Sequence, residues 1–417
     1  MISLVEALNY RCLRYIKQPL GPFNILVGPN ASGKTTFLDV LGFLGDLVSK
    51  GIDDAVVSRT QNFQDLIYGR RGGKFELAIE AAIPDERRKQ LFKPELDTIR
   101  YEVAIGVNGD SEINILSEKC LIKKADKFIQ MPRTFFPQLL DSQSLITPSG
   151  KRDIRTVINK VKGGNDNYYN EVEEKTSGRW SPSFKLGPRK SALANLPDDQ
   201  SKYPAATWLK SLLSEGVQKL MLNSLVIRKA SPPGQARYFK PDGSNLPWMI
   251  EQLRNKSKER FDAWIGHIQT ALPDIEDIRI VEREDDKHKY LMIRYHGGLE
   301  VPSWMASDGT LRLLALTLPA YLPGFGGVYL VEEPENGIHP RAVETLYQSL
   351  SSIYDGQILL ATHSPVMLSM ADADKVLCFA KTAEGATDIV LGSDHPALKD
   401  WKKETNLGVL YAAGVLG

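Results

Sequence analysis

No stretch of the 417 residues approaches the roughly 18 to 20 consecutive apolar residues that a membrane-spanning helix needs. The first ten residues mix apolar side chains with Glu6 and Asn9 and lack a basic segment followed by an apolar core, so no secretory signal is expected there. Cysteine is scarce: Cys12, Cys120 and Cys378 are odd in number and never spaced as a CxxC pair, so neither a disulfide framework nor a cysteine zinc site is expected. Buried packing of free thiols in a reducing compartment fits them, and a cytoplasmic location is the expectation. An excess of either charge is also missing. Fifty-two Lys and Arg against fifty-one Asp and Glu leave a formal charge of +1, so no overall field draws the chain to nucleic acid or anionic lipid. Any such contact must come from local patches. Sustained heptads and internal repeats are absent, which excludes a long coiled-coil arm and a solenoid. What remains is ordinary for a folded soluble chain: 42% hydrophobic and 25% charged residues, with length for two or three domains.

Phe23 to Val27 is a short apolar run entering a glycine-rich turn, after which Phe37, Leu38, Val40, Leu41, Phe43, Leu44 and Leu47 recur at helical spacing. The reading is strand, loop, buried helix. Phe75 to Ile83, Ile99 to Val107 and Ile113 to Ile122 read as strands of an antiparallel sheet beside them. From about Lys124 to Pro204 the composition turns to Lys, Asn, Ser, Pro and Gly, including Lys151-Arg152 and the polar run Asn165 to Asn170, and reads as loops. Trp208 to Leu222, Pro247 to Arg254 and Phe261 to Leu272 are helical by pattern. Ile278 to Val281 and Tyr290 to Tyr295 read as strands, and from Leu311 to Phe379 helices alternate with apolar strands, the pattern of a mainly parallel sheet covered by helices.

Four strings carry chemistry. Gly28-Pro29-Asn30-Ala31-Ser32-Gly33-Lys34-Thr35, then Thr36, fits the phosphate-loop pattern in the strand-to-helix setting it requires. A glycine turn capping a helix would explain Gly28 and Gly33 but not the Lys-Thr pair with them. The loop's N–H groups and the helix N-terminus attract phosphate. Lys34 is expected to reach the β- and γ-phosphates, Thr35 to offer its hydroxyl to Mg²⁺, and Thr36 to donate to an α-phosphate oxygen. The second string, Val328 to Glu333, is an apolar strand ending in two carboxylates and followed by Pro334 to Pro340. Alone it would be a solvated turn; after a phosphate loop, Glu332 suits Mg²⁺, directly or through water, and Glu333 suits orienting or deprotonating the attacking water. The third, Ile358 to Pro365, is a strand ending in Thr362-His363, which a parallel strand order sets beside the phosphates. The fourth, Ser307-Asp308-Gly309-Thr310-Leu311-Arg312, is by itself an unremarkable helix cap.

Their order resembles the head of an ABC ATPase. The wording Glu332-Glu333-Pro334-Glu335-Asn336-Gly337-Ile338-His339-Pro340 with Ala361-Thr362-His363-Ser364-Pro365 is similar to the overcoming-lysogenisation-defect and RecF/SMC-like branch, a group of AAA-family ATPases. The resemblance covers about residues 1 to 80 and 245 to 380. It implies an α/β fold, a P-loop NTPase head with mixed sheet and antiparallel β subdomain and a helical insertion between phosphate loop and signature. The corresponding divisions are 1–123, an N-terminal ATPase lobe; 124–275, a mostly helical insertion with flexible loops; and 276–417, a lobe with signature, double-acid strand and switch His363. It also implies ATP and Mg²⁺ as cofactors and a homodimer in which Ser307 and Gly309 reach the phosphate held by the partner, with Glu335 to His339 touching that partner. Two departures stand out: Glu332 replaces the family's usual aspartate, and Asp308-Gly309 replaces paired glycines. The family's glutamine loop has three candidates, Gln61, Gln64 and Gln138. About 270 residues separate Thr35 from Ser307, more than a transporter subunit uses, and only about 50 follow His363, so the expectation is a chain without the Toprim nuclease domain that members of the family often carry. The expected function is an ATPase that regulates a separately encoded effector in bacterial anti-phage defence. The alternative is a RecF-like clamp on DNA, using Arg70-Arg71, Arg87-Arg88-Lys89, Lys123-Lys124, Arg189-Lys190 and Arg254 to Arg260.

Overall fold

The computed structural model describes residues 1–107, 112–126, 133–148, 150, 153–173, 182–236, 238–398 and 406–416; Lys151-Arg152 lie outside them. The strands in chain order are β1 (Ile2–Tyr10), β2 (Leu13–Pro19), β3 (Phe23–Val27), β4 (Lys74–Ala82), β5 (Thr98–Val107), β6 (Ile113–Lys123), β7 (Ile154–Val161), β8 (Asp166–Tyr168), β9 (Ser183–Phe184), β10 (Val217–Leu220), β11 (Ile275–Glu282), β12 (Lys289–Tyr295), β13 (Glu300–Pro302), β14 (Gly327–Glu332), β15 (Gly356–Ala361), β16 (Val376–Lys381) and β17 (Thr387–Leu391). They form an antiparallel sheet β2-β1-β4-β5-β6-β7-β8-β9, a mixed sheet β10-β14-β15-β3-β16-β17 and a small sheet β11-β12-β13. In the mixed sheet every pair from β10 to β16 is parallel, and β17 returns antiparallel to β16. The strands of its centre are apolar on both faces, β3 and β15 being buried at every residue, as a sheet covered on both sides demands.

Helix α1 (Lys34–Ser49) lies between the two large sheets and is apolar almost all round for that reason. Phe43 meets Tyr10 and Phe75 of the antiparallel sheet edge-on at centroid distances of 5.8 and 5.4 Å, and Phe37 meets Phe379 of the mixed sheet at 5.6 Å. Fixing this helix between two sheets fixes the direction of its N-terminus, and so of the phosphate loop. The opposite face of the mixed sheet is covered by the helices Asp308–Thr317 and Val343–Ser351, backed by Leu246–Lys256 and Lys258–Ala271. Trp264 of the last donates from Nε1 to Thr317 Oγ1 at 3.0 Å.

The expectation of an α/β P-loop head holds. The expectation that 124–275 is mostly helical does not hold for its first half, where β7 to β9 extend the antiparallel sheet through the pairing of Cys120 with Ile158 and of Ile158 with Tyr168. The polar composition that reads as loop is buried in matched pairs: Lys160 Nζ and Asp166 Oδ1 lie 2.7 Å apart, and both side chains are nearly inaccessible. Carboxylates likewise pin 133–148 across the sheet, Glu76 accepting from Leu145 N and Glu102 from Thr147 N, each at 2.6 Å. Nor does the helix from Trp208 run to Leu222. It ends at Ser211, passes through one wide turn to Gly216, and becomes β10, whose backbone groups complete the edge of the mixed sheet against β14. Among the described residues no helix is long and apolar enough to cross a membrane.

Candidate nucleotide site

Parallel strands put their C-terminal ends on one rim, and three of the four strings meet there. The pairing Glu332↔Ala361 and Ala361↔Leu26 sets the ends of β14, β15 and β3 level. A cavity of about 280 Å³ opens on that rim, lined by Asn30 to Thr36, Glu332, Glu333, Ala361, His363 and Cys12. Gly28 and Pro29 are outside its lining, and their carbonyls accept from Lys34 Nζ at 2.7 and 3.0 Å. Ser307 and Gly309 are not among the lining residues, and neither are Gln61, Gln64 or Gln138.

The loop's conformation is one that side chains would obstruct. Gly28 and Gly33 have φ of 146° and 108°, and a Cβ on either would stand 2.3 Å from Phe379 O or Thr387 Oγ1 respectively. Helix α1 starts on Gly33 with no side-chain cap, so its first N–H groups face the cavity without partners from a cap. The Ser32 hydroxyl is buried and has no hydrogen-bond partner within the described residues. This is the arrangement of a cradle for an anion. Lys34 is 7% exposed; burial lowers its pKa, while Glu333 and then Glu332 pull it back up, so a phosphate is a natural counter-charge.

The two acids reach the same cavity by a break in strand alternation. Successive residues of a strand face opposite ways, but Glu333 adopts φ of 44°, a left-handed conformation held by its N–H donating to Ala361 O at 2.8 Å. Both carboxylates therefore face the phosphate loop. Glu332 Oε2 accepts from Thr35 Oγ1 at 3.1 Å, and Glu332 Oε1 is 2.7 Å from Lys219 Nζ of β10. Glu333 Oε2 accepts from Asn336 Nδ2 at 2.5 Å, and its Oε1 lies 4.0 Å from His363 Nε2.

The fourth string sits on the same rim, outside the cavity. Ser307 caps the helix Asp308–Thr317, accepting from Thr310 N at 3.1 Å, and is exposed. Gly309 packs so closely on the loop after β14 that a Cβ would come within 2.6 Å of Gly337 O. Glu335 of that loop in turn accepts from Thr362 Oγ1 at 2.5 Å and from His363 N at 3.0 Å. Asp308, the departure from paired glycines, points away to Arg228, 2.5 Å distant.

Four participants carried no signal in the sequence. Cys12, expected as buried packing, is half-buried on the β1–β2 turn and lines the cavity; Cys120 and Cys378 are buried as expected, the Cys378 thiol pushed up to about 12 by burial. Thr387 braces the loop by donating to Ser32 O at 2.8 Å. Lys219 was hidden by the helical reading of its segment. Tyr411 lies 48 residues beyond His363, yet its hydroxyl is 2.9 Å from His363 Nδ1.

A family model described as "AAA domain, putative AbiEii toxin, Type IV TA system" matches residues 23–369. A 48-residue stretch is 46% identical to an OLD nuclease of Thermus scotoductus; the match takes in 11% of this chain and 9% of that relative's length. Among solved structures, an Smc head bound to the C-terminal winged-helix domain of ScpA superposes with a TM-score of 0.52 at 16% identity, over 93% of this chain and 96% of that one. That likeness places the fold with SMC-type ABC heads.

Proposed function

The chain belongs to this AAA-domain family, an ATPase class related to OLD and SMC proteins, and from that footing we propose that it binds and hydrolyses ATP between two copies of itself, and that this closure regulates a separately encoded effector in cytoplasmic defence against phage. The N–H groups of Gly28 and of Asn30 to Thr36 would cradle the phosphates of ATP, countered by Lys34, with Thr36 toward the α-phosphate. The Thr35 hydroxyl and the Glu332 carboxylate, 3.1 Å apart, are hard oxygen donors that fit Mg²⁺, which when bound neutralises charge on the β- and γ-phosphates. Glu333 takes a proton from the attacking water and His363 faces the γ-phosphate. Ser307 and Gly309 act on the ATP held by the partner.

One observation carries this reading: Lys34, Thr35, Glu332, Glu333 and His363 converge on one cavity, while Ser307, exposed on the same rim, stays out of it. A signature that cannot serve its own cavity is suited to serve another. The test is Glu333→Gln. Loss of a general base slows turnover by about 10²- to 10⁴-fold, so with ATP and Mg²⁺ the variant should accumulate as a nucleotide-filled dimer in light scattering, while Lys34→Ala should bind no ATP. Wild-type turnover by Glu333→Gln with no change in mass would sink the proposal.

The clamp reading finds less support. One basic group in each of the five clusters that would grip DNA is neutralised locally: Arg70 by Asp65, Arg88 by Asp85, Lys123 by Glu80 and Asp126, Arg189 by Asp53 and Arg254 by Asp277. Duplex binding that falls steeply with added salt would restore it. The description of the matching family names a toxin system, and a separately encoded partner is to be sought by purifying the chain with the product of a neighbouring gene.

A further inference from the structure

We propose that Tyr411 is a positioning residue of the ATP site, whose hydroxyl, wedged between the Gly28 carbonyl and His363 Nδ1, fixes the tautomer and orientation of His363 so that Nε2 is the atom turned to the phosphates. This rests on the ATP site proposed above. Tyr411 lies 3.3 Å from Gly28 O and 2.9 Å from His363 Nδ1. A phenol has one proton, and a carbonyl oxygen only accepts. The proton therefore goes to Gly28 O; otherwise two oxygens would face each other with none between them. Toward His363 the phenol oxygen is then an acceptor, and Nδ1 carries the ring proton. Nε2 is left on the side of Glu333 and the cavity, with its lone pair when the ring is neutral and with a donor N–H when it is charged.

The rest of the C-terminal segment holds the hydroxyl in place. Tyr411 belongs to the short helix Leu407–Ala412, capped by Asn406 Oδ1 accepting from Val409 N at 3.0 Å. That helix lies on Pro365–Ser369, the turn of helix that begins two residues after His363, and it does so with almost no clearance: a Cβ on Gly408 would stand 2.1 Å from Pro365 O. Burial raises the phenol's pKa, which keeps its proton in place at neutral pH. Gly28 O also accepts from Lys34 Nζ, so one carbonyl of the phosphate loop ties the lysine and, through the tyrosine, the histidine.

The experiment compares the full-length chain with Tyr411→Phe, which keeps the ring's packing and removes the hydroxyl. Nitrogen-15 spectra of the histidines report the tautomer directly. The wild type should show His363 protonated at Nδ1, and Tyr411→Phe should move it toward the Nε2–H form that free histidine prefers. Turnover should fall about five- to tenfold, as loss of a single orienting hydrogen bond warrants, with KM for ATP unchanged within about twofold. In a His363→Ala background Tyr411→Phe should then have no further effect. Gly408→Ala, which lifts the helix and leaves the hydroxyl in the sequence, should shift the tautomer the same way. An Nδ1–H tautomer that persists in both variants, or losses from Tyr411→Phe and His363→Ala that multiply, overturns the assignment. A wild type with the expected tautomer but no turnover would sink the ATPase reading while leaving the role of Tyr411 in place.

Discussion

Gly309→Ala separates a signature that acts on a partner from a mere helix start. Gly309 is the second residue of the helix Asp308–Thr317. If only the helix mattered, alanine would stabilise it by up to roughly 0.5 to 1 kcal/mol, less in a first turn than in an interior. The surroundings oppose this. The new Cβ would lie 2.6 Å from Gly337 O, with Gly337 C and Ile338 Cα at 3.7 and 3.8 Å. The obstacle is backbone and cannot rotate aside, so reaching ordinary contact near 3.4 Å requires helix and loop to part by about 0.8 Å. Overpacking of this kind costs about 1 to 3 kcal/mol, which exceeds the propensity gain. The functional cost is larger, because a displacement near 1 Å in groups that position a reacting phosphate reduces rate by up to about 10²-fold. On the proposed arrangement the displaced group serves the partner's ATP and not the protomer's own. The variant should therefore keep nucleotide affinity within about twofold by calorimetry, lose about 10- to 100-fold in turnover, and, combined with Glu333→Gln, form the ATP-trapped dimer more weakly in light scattering. A Gly309→Ala protein that melts higher and turns over normally refutes the packing argument. One that loses its own nucleotide affinity in proportion to its turnover refutes the assignment of the signature to the partner's site.

Gly33→Ala should abolish ATP binding, since it adds both a left-handed strain of roughly 1 to 2 kcal/mol and a contact with Thr387 Oγ1; Thr387→Ala in that background should recover part of the melting temperature by relieving the contact alone, and full recovery of ATP affinity would refute this. Lys219→Met should lower the Mg²⁺ concentration for half-maximal nucleotide binding by about 1.5- to 5-fold, the range for a half-exposed ion pair, because Glu332 loses a competing cation 2.7 Å away; an unchanged or raised requirement would count against it. Glu171, which caps the helix Pro204–Ser211 by accepting from Ala205 and Ala206 N, is pushed up to about 7 by burial against the opposing pull of those N–H groups. A raised carboxyl contributes stability that is full below its ordinary value near 4.3 and is lost as pH rises through about 7. Melting temperatures from pH 5 to 8 should thus fall more steeply for the wild type than for Glu171→Gln, and parallel curves would refute the burial argument.

The phosphate loop, the double-acid strand and the strand before His363 were legible because each couples an apolar run to residues whose chemistry needs that setting, and the parallel pairing of β14, β15 and β3 does the rest. Strands β4, β5 and β6 were legible from their length and apolar content. Strands β7 and β10 were not, for different reasons. In β7 and its neighbours, charges that look solvated in the sequence are buried as pairs such as Lys160 with Asp166, so composition pointed the wrong way. In β10, four residues take their conformation from the β14 edge, and local pattern cannot report a partner more than a hundred residues away. Lys219 and Tyr411 were lost with such long-range contacts: neither lies in a motif, and each matters only through what the fold sets beside it. Asp308 was the opposite case, a visible oddity in the signature that Arg228 explains by drawing it off the helix start.

The segment from Glu333 to Ile338 touches both the cavity and the start of the helix Asp308–Thr317, and that follows from a single residue in the left-handed region. In an ordinary strand end the residue after Glu332 would face away from the phosphate loop; the φ of 44° at Glu333 turns its carboxylate into the cavity and simultaneously bends the chain back across the rim. The bend brings Glu335 to Thr362 and His363 N and lays Gly337 against Gly309. Contacts therefore run unbroken from His363 at the cavity to the start of the helix Asp308–Thr317. Contiguity alone does not couple two sites; an element with two alternative arrangements is also required. On the proposed function Glu333 would be that element. Its left-handed conformation costs roughly 1 to 2 kcal/mol and is held by the N–H bond to Ala361 O and the Asn336 bond to its carboxylate. The second of these bonds competes with the work proposed for that carboxylate: a Glu333 that engages the attacking water weakens its hold on Asn336. On the proposed function, that acid would also be a latch on the loop packed against Gly309, a physical means by which ATP turnover in one cavity would loosen the helix start serving the other.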